Sequence, residues 1–162
     1  MDPIDPRPAE TGTAGVIARP PLLFLSALLL GLVLDYLLPL PLALPSLVRA
    51  VPGGLLILAG LALAVAGIRG FTQAGTPVPT NEPSRALVTS GIHGRSRNPI
   101  YLGLFALYLG IGVALGSLWI LLLVLPLAAV IRYGVVAREE AYLERCFGDA
   151  YRSYKGRVRR WL

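Results

Sequence analysis

The sequence predicts an all-α, polytopic membrane protein of about four transmembrane helices, with a C-terminal helical hairpin followed by cytoplasmic amphipathic helices. Three observations carry this. Of 162 residues, 55% are hydrophobic and 15% charged, which is too apolar for a soluble domain of this size, and the mean hydropathy is +0.67. Apolar runs at 20–38, 50–68 and 99–131 are each long enough to cross a bilayer core. The charges collect between and after these runs, not within them.

Residues 1–18 are rich in Pro, Gly, Thr and acids, have no apolar period, and are expected to form a flexible tail. They lack the basic start and short apolar core of a secretory signal, so the first span is expected to stay in the mature protein. That span, 20–38, carries only Asp35, placed near its far end where headgroup water is in reach, and Pro39, Pro41 and Pro45 terminate it. The second span, 50–68, is seeded with Gly53, Gly54, Gly60 and Gly67, small residues that let helices approach closely. It is expected to pack on a neighbour, and a homo-oligomer formed through it is one expectation. With no Lys-Ser/Thr after them, these glycines are not a phosphate loop. Residues 19–69 thus form a two-helix unit, and 70–162 a second region.

Residues 69–98 are polar and broken by Gly75, Pro77, Pro79 and Pro83. A connection this long is usually functional or disordered, and its dense end at Arg95–Asn98 favours an ordered, ligand-covering loop. Asn98 suits an N-cap and Pro99 the first helical position. The uncharged run 99–131 would form a straight helix about 50 Å long against a core of about 30 Å, so it must fold back. Gly110, Gly112, Gly116 and Ser117 are the expected tip, giving arms at 99–115 and 118–137, the second kinked by Pro126. Arg132 falls in the inner turns of that arm. Beyond it Leu143, Phe147, Tyr151, Tyr154 and Val158 recur at helical spacing, with a break at Gly148.

The net charge of +6 does not point to nucleic acid, because the basic residues flank apolar runs without interleaved aromatics. The lipid bilayer and its anionic headgroups are the partner this charge suits. One cysteine, Cys146, and one histidine, His93, support neither a disulfide nor a metal site. Eight of the fifteen basic residues lie from Arg132 onward and four between Arg69 and Arg97, which puts the long loop and both termini in the cytoplasm. A composition heavy in Ala, Arg, Gly and Pro with a single lysine, Lys155, points to a prokaryotic inner membrane.

The hairpin returns the chain to the face it left, bringing Glu139 and Glu140 back to the side of Arg97, Asn98 and Tyr101. A hollow between them would offer carboxylates for ribose hydroxyls or an ammonium, guanidinium and helix-end donors for a carboxylate, and aromatic or imidazole surface for a purine. Those are the needs of S-adenosyl-L-methionine. The competing structural reading is that Arg and an N-cap mark the edge of a span, and that Arg138, Glu139 and Glu140 merely begin an interfacial helix.

At these residues the sequence resembles a known superfamily. Leu87-Val88-Thr89-x-Gly91, Arg97-Asn98-Pro99-x-Tyr101, Glu139-Glu140-x-x-Leu143, Phe147-Gly148-x-x-Tyr151-x-x-Tyr154 and Arg157-Val158 are similar to motifs of the isoprenylcysteine carboxyl methyltransferase and phospholipid methyltransferase superfamily of integral membrane enzymes. The resemblance runs from Gly75 onward. It implies that 70–162 is the catalytic region, that S-adenosylmethionine lies over the hairpin, and that a lipid-like acceptor arrives from the bilayer. By match, cofactor contacts fall on Arg85, Ala86, Leu87, Val88, His93, Asn98, Pro99, Ile100, Tyr101 and Glu139. Asn98 stands where the family usually has His, and His93 where it usually has Tyr. The prenylcysteine enzymes' substrate Arg is Val135 here, leaving Arg132 or Arg138 as substitutes.

The reaction expected is direct methyl transfer to an amphiphilic small-molecule acceptor, either carboxyl O-methylation or phospholipid N-methylation. An amine would need Glu139 or Glu140 as base. An NADPH-dependent reductase of the sterol-reductase type and a non-catalytic membrane scaffold are the alternatives.

Overall fold

The computed structural model describes residues 13–78 and 82–162, so most of the expected tail lies outside the described residues. The described chain is helical: α1 (Pro20–Leu37), α2 (Ser46–Gln73), a single 3₁₀ turn at Gly91–Gly94, α3 (Pro99–Leu115), α4 (Leu118–Ala129), a π-helical stretch at Val130–Val136, and α5 (Ala137–Arg157). Among the described residues three helices are long and apolar enough to cross a membrane: α1, α2 and the continuous helical run Leu118–Arg157, whose apolar part precedes α5. Helix α3, at 17 residues, is apolar throughout and spans about 25 Å. Leucines such as Leu55 and Leu58 are 64% and 65% exposed on α2, an arrangement that suits a lipid solvent.

The second span is longer than its uncharged core, 28 residues against the expected 50–68, because Arg49 and Arg69 lie inside the helix. Its glycines are used within the chain. Gly53, Gly60 and Gly67, spaced seven apart, are its buried positions, and they face α3. A Cβ built at Gly60 would lie 2.6 Å from the Gly103 carbonyl oxygen, and one at Gly110 would lie 2.8 Å from the Gly53 oxygen. The two backbones are in contact through reciprocal glycines, which is how membrane helices gain dispersion energy without a hydrophobic drive.

The hairpin tip falls where its residues predict. Gly116 adopts φ 70°, a left-handed stop for α3, and the Ser117 hydroxyl accepts from the Ile120 N–H to start α4. At this end the α1–α2 connection is stitched to the tip: the Leu118 N–H donates to Leu40 O (3.1 Å), the Leu42 N–H to Gly116 O (2.7 Å), and the Trp119 indole to Leu38 O (2.7 Å). Among the described residues the chain therefore runs along the bundle four times, and its N-terminal segment, long loop and C-terminus meet at the opposite end.

Downstream of Pro126, which withholds one ladder donor, the helix widens into the π stretch instead of ending. The wider turn shifts the facing of the residues that follow it. Gly148 (φ 53°, ψ −123°) then breaks α5 as its sequence predicts. Residues 13–18, expected to belong to a flexible tail, are docked. The Ile17 N–H donates to Gly134 O, Val16 packs on the core built around Phe24, Ile120 and Val135, and Ala14 packs on the tyrosine cluster of α5. A tail without apolar period had given no sign of this, because the contacts are made by its backbone and single small side chains.

Candidate active site

One end of the bundle holds a cavity of about 680 Å³, walled by the start of α1, the end of α2, the 76–101 segment and α5. That is within the range small-molecule sites occupy. The loop is folded over α5. Thr76, itself buried, accepts from the Arg85 N–H (2.9 Å) and the Ala86 N–H (3.4 Å) through its hydroxyl, and the Ser84 N–H donates to the Tyr142 hydroxyl (3.1 Å). This turns Ala86, Leu87 and Val88 inward.

Of the residues singled out in the sequence, Ala86, Leu87, Val88, His93, Asn98, Pro99, Ile100, Tyr101, Glu139 and Glu140 line the cavity. Three do not. Arg85 is exposed and contributes its backbone N–H to the loop. Arg132 is exposed and lies over the Tyr133 ring at 5.5 Å. The Arg138 guanidinium donates to Gly15 O (2.8 Å), tethering the N-terminal segment. Neither Arg132 nor Arg138 reaches the hollow, and Val135 is fully buried in the bundle core.

Asn98 precedes α3 but does not cap it with its side chain. Its amide donates instead to Arg160 O (2.9 Å). The Arg97 N–H donates to Arg159 O (3.0 Å), the Ser96 hydroxyl to Arg160 O, and Trp161 packs edge-on to Phe105. The last residues of the chain thus strap across the start of α3. Glu140 anchors the strap: one oxygen accepts from Arg97 (3.0 Å) and from Arg160 Nε (3.0 Å), the other from Arg160 (2.6 Å). The Arg97 and Glu140 side chains are each 8% exposed, so their ion pair is buried, and Arg160 adds a two-pronged bond from the rim. Sequence reasoning had Arg97 and Glu140 near one another but not bonded. It missed the strap, because Arg160 and Trp161 carry no local signal of where they go.

The Tyr101 hydroxyl donates to Glu139 Oε1 (2.6 Å), joining the two arms of the hairpin at the cavity floor. His93 is 3% exposed, its ring packed edge-on to Phe71 and its carbonyl accepting from the Tyr154 hydroxyl (2.7 Å). Both ring nitrogens are buried without a hydrogen-bond partner among the described residues. Burial with no acceptor for a second proton pushes its pKa down to about 4, so the imidazole is neutral at physiological pH. Unfolding restores the ordinary 6.5; stability from the neutral ring is complete above that value and is lost as pH falls toward about 4. We expect the wild-type melting temperature in detergent to drop between about pH 7 and about pH 5 more steeply than that of His93→Gln. Parallel curves would refute this reading of His93.

These features define a class: a helical membrane protein that builds, at one end of its bundle, a mostly apolar small-molecule cavity with a few placed polar groups. Residues 48–150 match the family described as phospholipid methyltransferase, and the chain belongs to that family, within the superfamily of integral membrane methyltransferases that also holds the isoprenylcysteine carboxyl enzymes. A protein of Haemophilus influenzae described as uncharacterized is 46% identical over 63 residues, which are 39% of this chain and 100% of that protein. No solved structure matches the chain.

Proposed function

We propose that this protein transfers a methyl group from S-adenosylmethionine to a nucleophile on an amphiphilic acceptor drawn from the bilayer. The single observation that supports this best is the convergence in one cavity of His93 with two orphaned ring nitrogens and the Tyr101–Glu139 pair. Two unsatisfied buried nitrogens are costly unless a ligand meets them, and a neutral imidazole offers the one donor and one acceptor that a purine edge requires. Glu139 keeps one oxygen beyond its bond to Tyr101, an acceptor for a hydroxyl or ammonium. When bound, the cofactor supplies an electrophilic methyl on a sulfonium, so the protein's work is alignment and exclusion of water. For an amine acceptor Glu139 is the better-placed base, since both Glu140 oxygens are occupied by guanidinium groups; Glu140 is a positioning residue.

A dinucleotide reductase is disfavoured by the charges: a 2′-phosphate needs a basic cluster, and of the arginines lining the cavity Arg97 is already held by Glu140. The cavity end also carries most of the basic residues, which supports a cytoplasmic site with both termini on that side.

Calorimetry in detergent should detect S-adenosylmethionine binding, weakened about tenfold by Glu139→Gln and by Tyr101→Phe, the loss of one charge-assisted hydrogen bond. Labelled cofactor incubated with membrane extract then identifies the methylated lipid. Binding of NADPH but not S-adenosylmethionine, or of neither, would overturn the proposal.

A further inference from the structure

Five charged side chains line the cavity: Arg19, Glu82, Arg97, Glu139 and Glu140. Arg97 and Glu140 neutralise each other, and Glu139 is engaged by Tyr101. Glu82 stands on the loop wall. Arg19, exposed at the N-cap position of α1, is the one guanidinium of the lining with no hydrogen bond or ion pair among the described residues. It stands next to Pro20, Pro21 and Leu22, which with Leu104 form an apolar part of the lining. A guanidinium at the first turn of an apolar span lies at headgroup depth.

The helices beside it pack unevenly. Helix α2 packs along α3, whereas α1 packs on α4 and only lightly on α3, with no substantial packing between α1 and α2. A side opening between them would have Ile100 and Leu104 of α3 as its floor. An acyl chain lying there would carry its headgroup past Arg19 before the headgroup meets Glu139.

We infer that Arg19 is a specificity-determining residue that holds an anionic oxygen group, phosphate or carboxylate, borne by the amphiphilic acceptor next to its methyl-accepting atom. This rests on the methyltransferase reading for the role of the bound molecule, but not for the anion preference itself. The bland alternative is an interfacial arginine attracted to any headgroup, and Arg132, exposed and outside the cavity, is the control for it.

The test uses the full chain in neutral maltoside micelles, with binding of radiolabelled dodecyl phosphate, dodecanoate and dodecanol measured by equilibrium dialysis. Wild type should hold at least one anionic probe about tenfold tighter than dodecanol, Arg19→Ala should abolish that preference, Arg19→Lys should restore part of it, and Arg132→Ala should keep it. Which anionic probe gains separates a phosphate acceptor from a carboxylate one. No preference in wild type, an unchanged preference in Arg19→Ala, or an equal loss in Arg132→Ala would overturn the inference. So would loss of S-adenosylmethionine affinity in Arg19→Ala with probe binding intact, since Arg19 would then serve the cofactor's own carboxylate. Failure of wild type to bind S-adenosylmethionine refutes the proposed function instead, and leaves the probe preference as a direct reading of Arg19.

Discussion

Glu140→Ala should cost about 3 kcal/mol of stability or more and abolish detectable cofactor binding. Its carboxylate is the shared partner of Arg97 and Arg160, and removing one member of a buried ion pair leaves the others charged, desolvated and unpaired, which costs about 3–5 kcal/mol. Arg160 is 30% exposed and recovers some hydration, so the lower part of that range applies. The functional loss should exceed what unfolding explains, because the same contact holds Asn98 and the start of α3 under the C-terminal strap. Deleting residues 158–162 removes the strap without stranding Arg97 from Glu140. It should therefore weaken cofactor binding while lowering the melting temperature less than Glu140→Ala does. If the alanine variant binds S-adenosylmethionine like wild type, Glu140 has no positioning role.

Gly60→Val should separate α2 from α3 and destroy the cavity indirectly. Any Cβ at Gly60 meets the Gly103 oxygen and the Leu107 nitrogen, both at 2.6 Å, and backbone cannot move aside as a side chain can. Gly60→Ala should already cost about 1–3 kcal/mol by overpacking, and valine more. Gly54→Ala is the matched control on the same helix: nothing lies within 4 Å of a Cβ there, so it should be neutral or slightly stabilising. Denaturation in mixed micelles, read by circular dichroism, compares the three. Equal stability of Gly60→Val and Gly54→Ala would mean that the helices do not meet through these glycines.

How much of the site was legible in the sequence depended on how local the signal was. Pro99 after Asn98 announced the start of α3, Gly116-Ser117 its end, and Gly148 the break in α5, since backbone geometry at such points is dictated by one or two residues. The motif residues from Ala86 to Tyr101 and the Glu139-Glu140 pair lay where a single return of the chain brings them together, and the cavity contains all but three of the residues singled out. Those three are arginines, whose long flexible side chains reach in any direction. Arg138 went to Gly15 and Arg132 to the Tyr133 ring, while Arg19, from a stretch with no pattern, came to the lining.

The sequence by itself determined that the chain is a helical membrane protein, that a hairpin follows Pro99, and where its tip and the break at Gly148 fall, because burial of apolar runs in lipid and the conformational limits of Pro and Gly act over a few neighbouring residues. Which face of α2 meets α3, what Asn98 and Glu140 bond to, and which arginine lines the cavity were decided only by the tertiary structure. Each of those is a choice among partners far apart in the chain, and such choices are made by the fit of whole helices and by the cost of leaving a buried charge or donor alone.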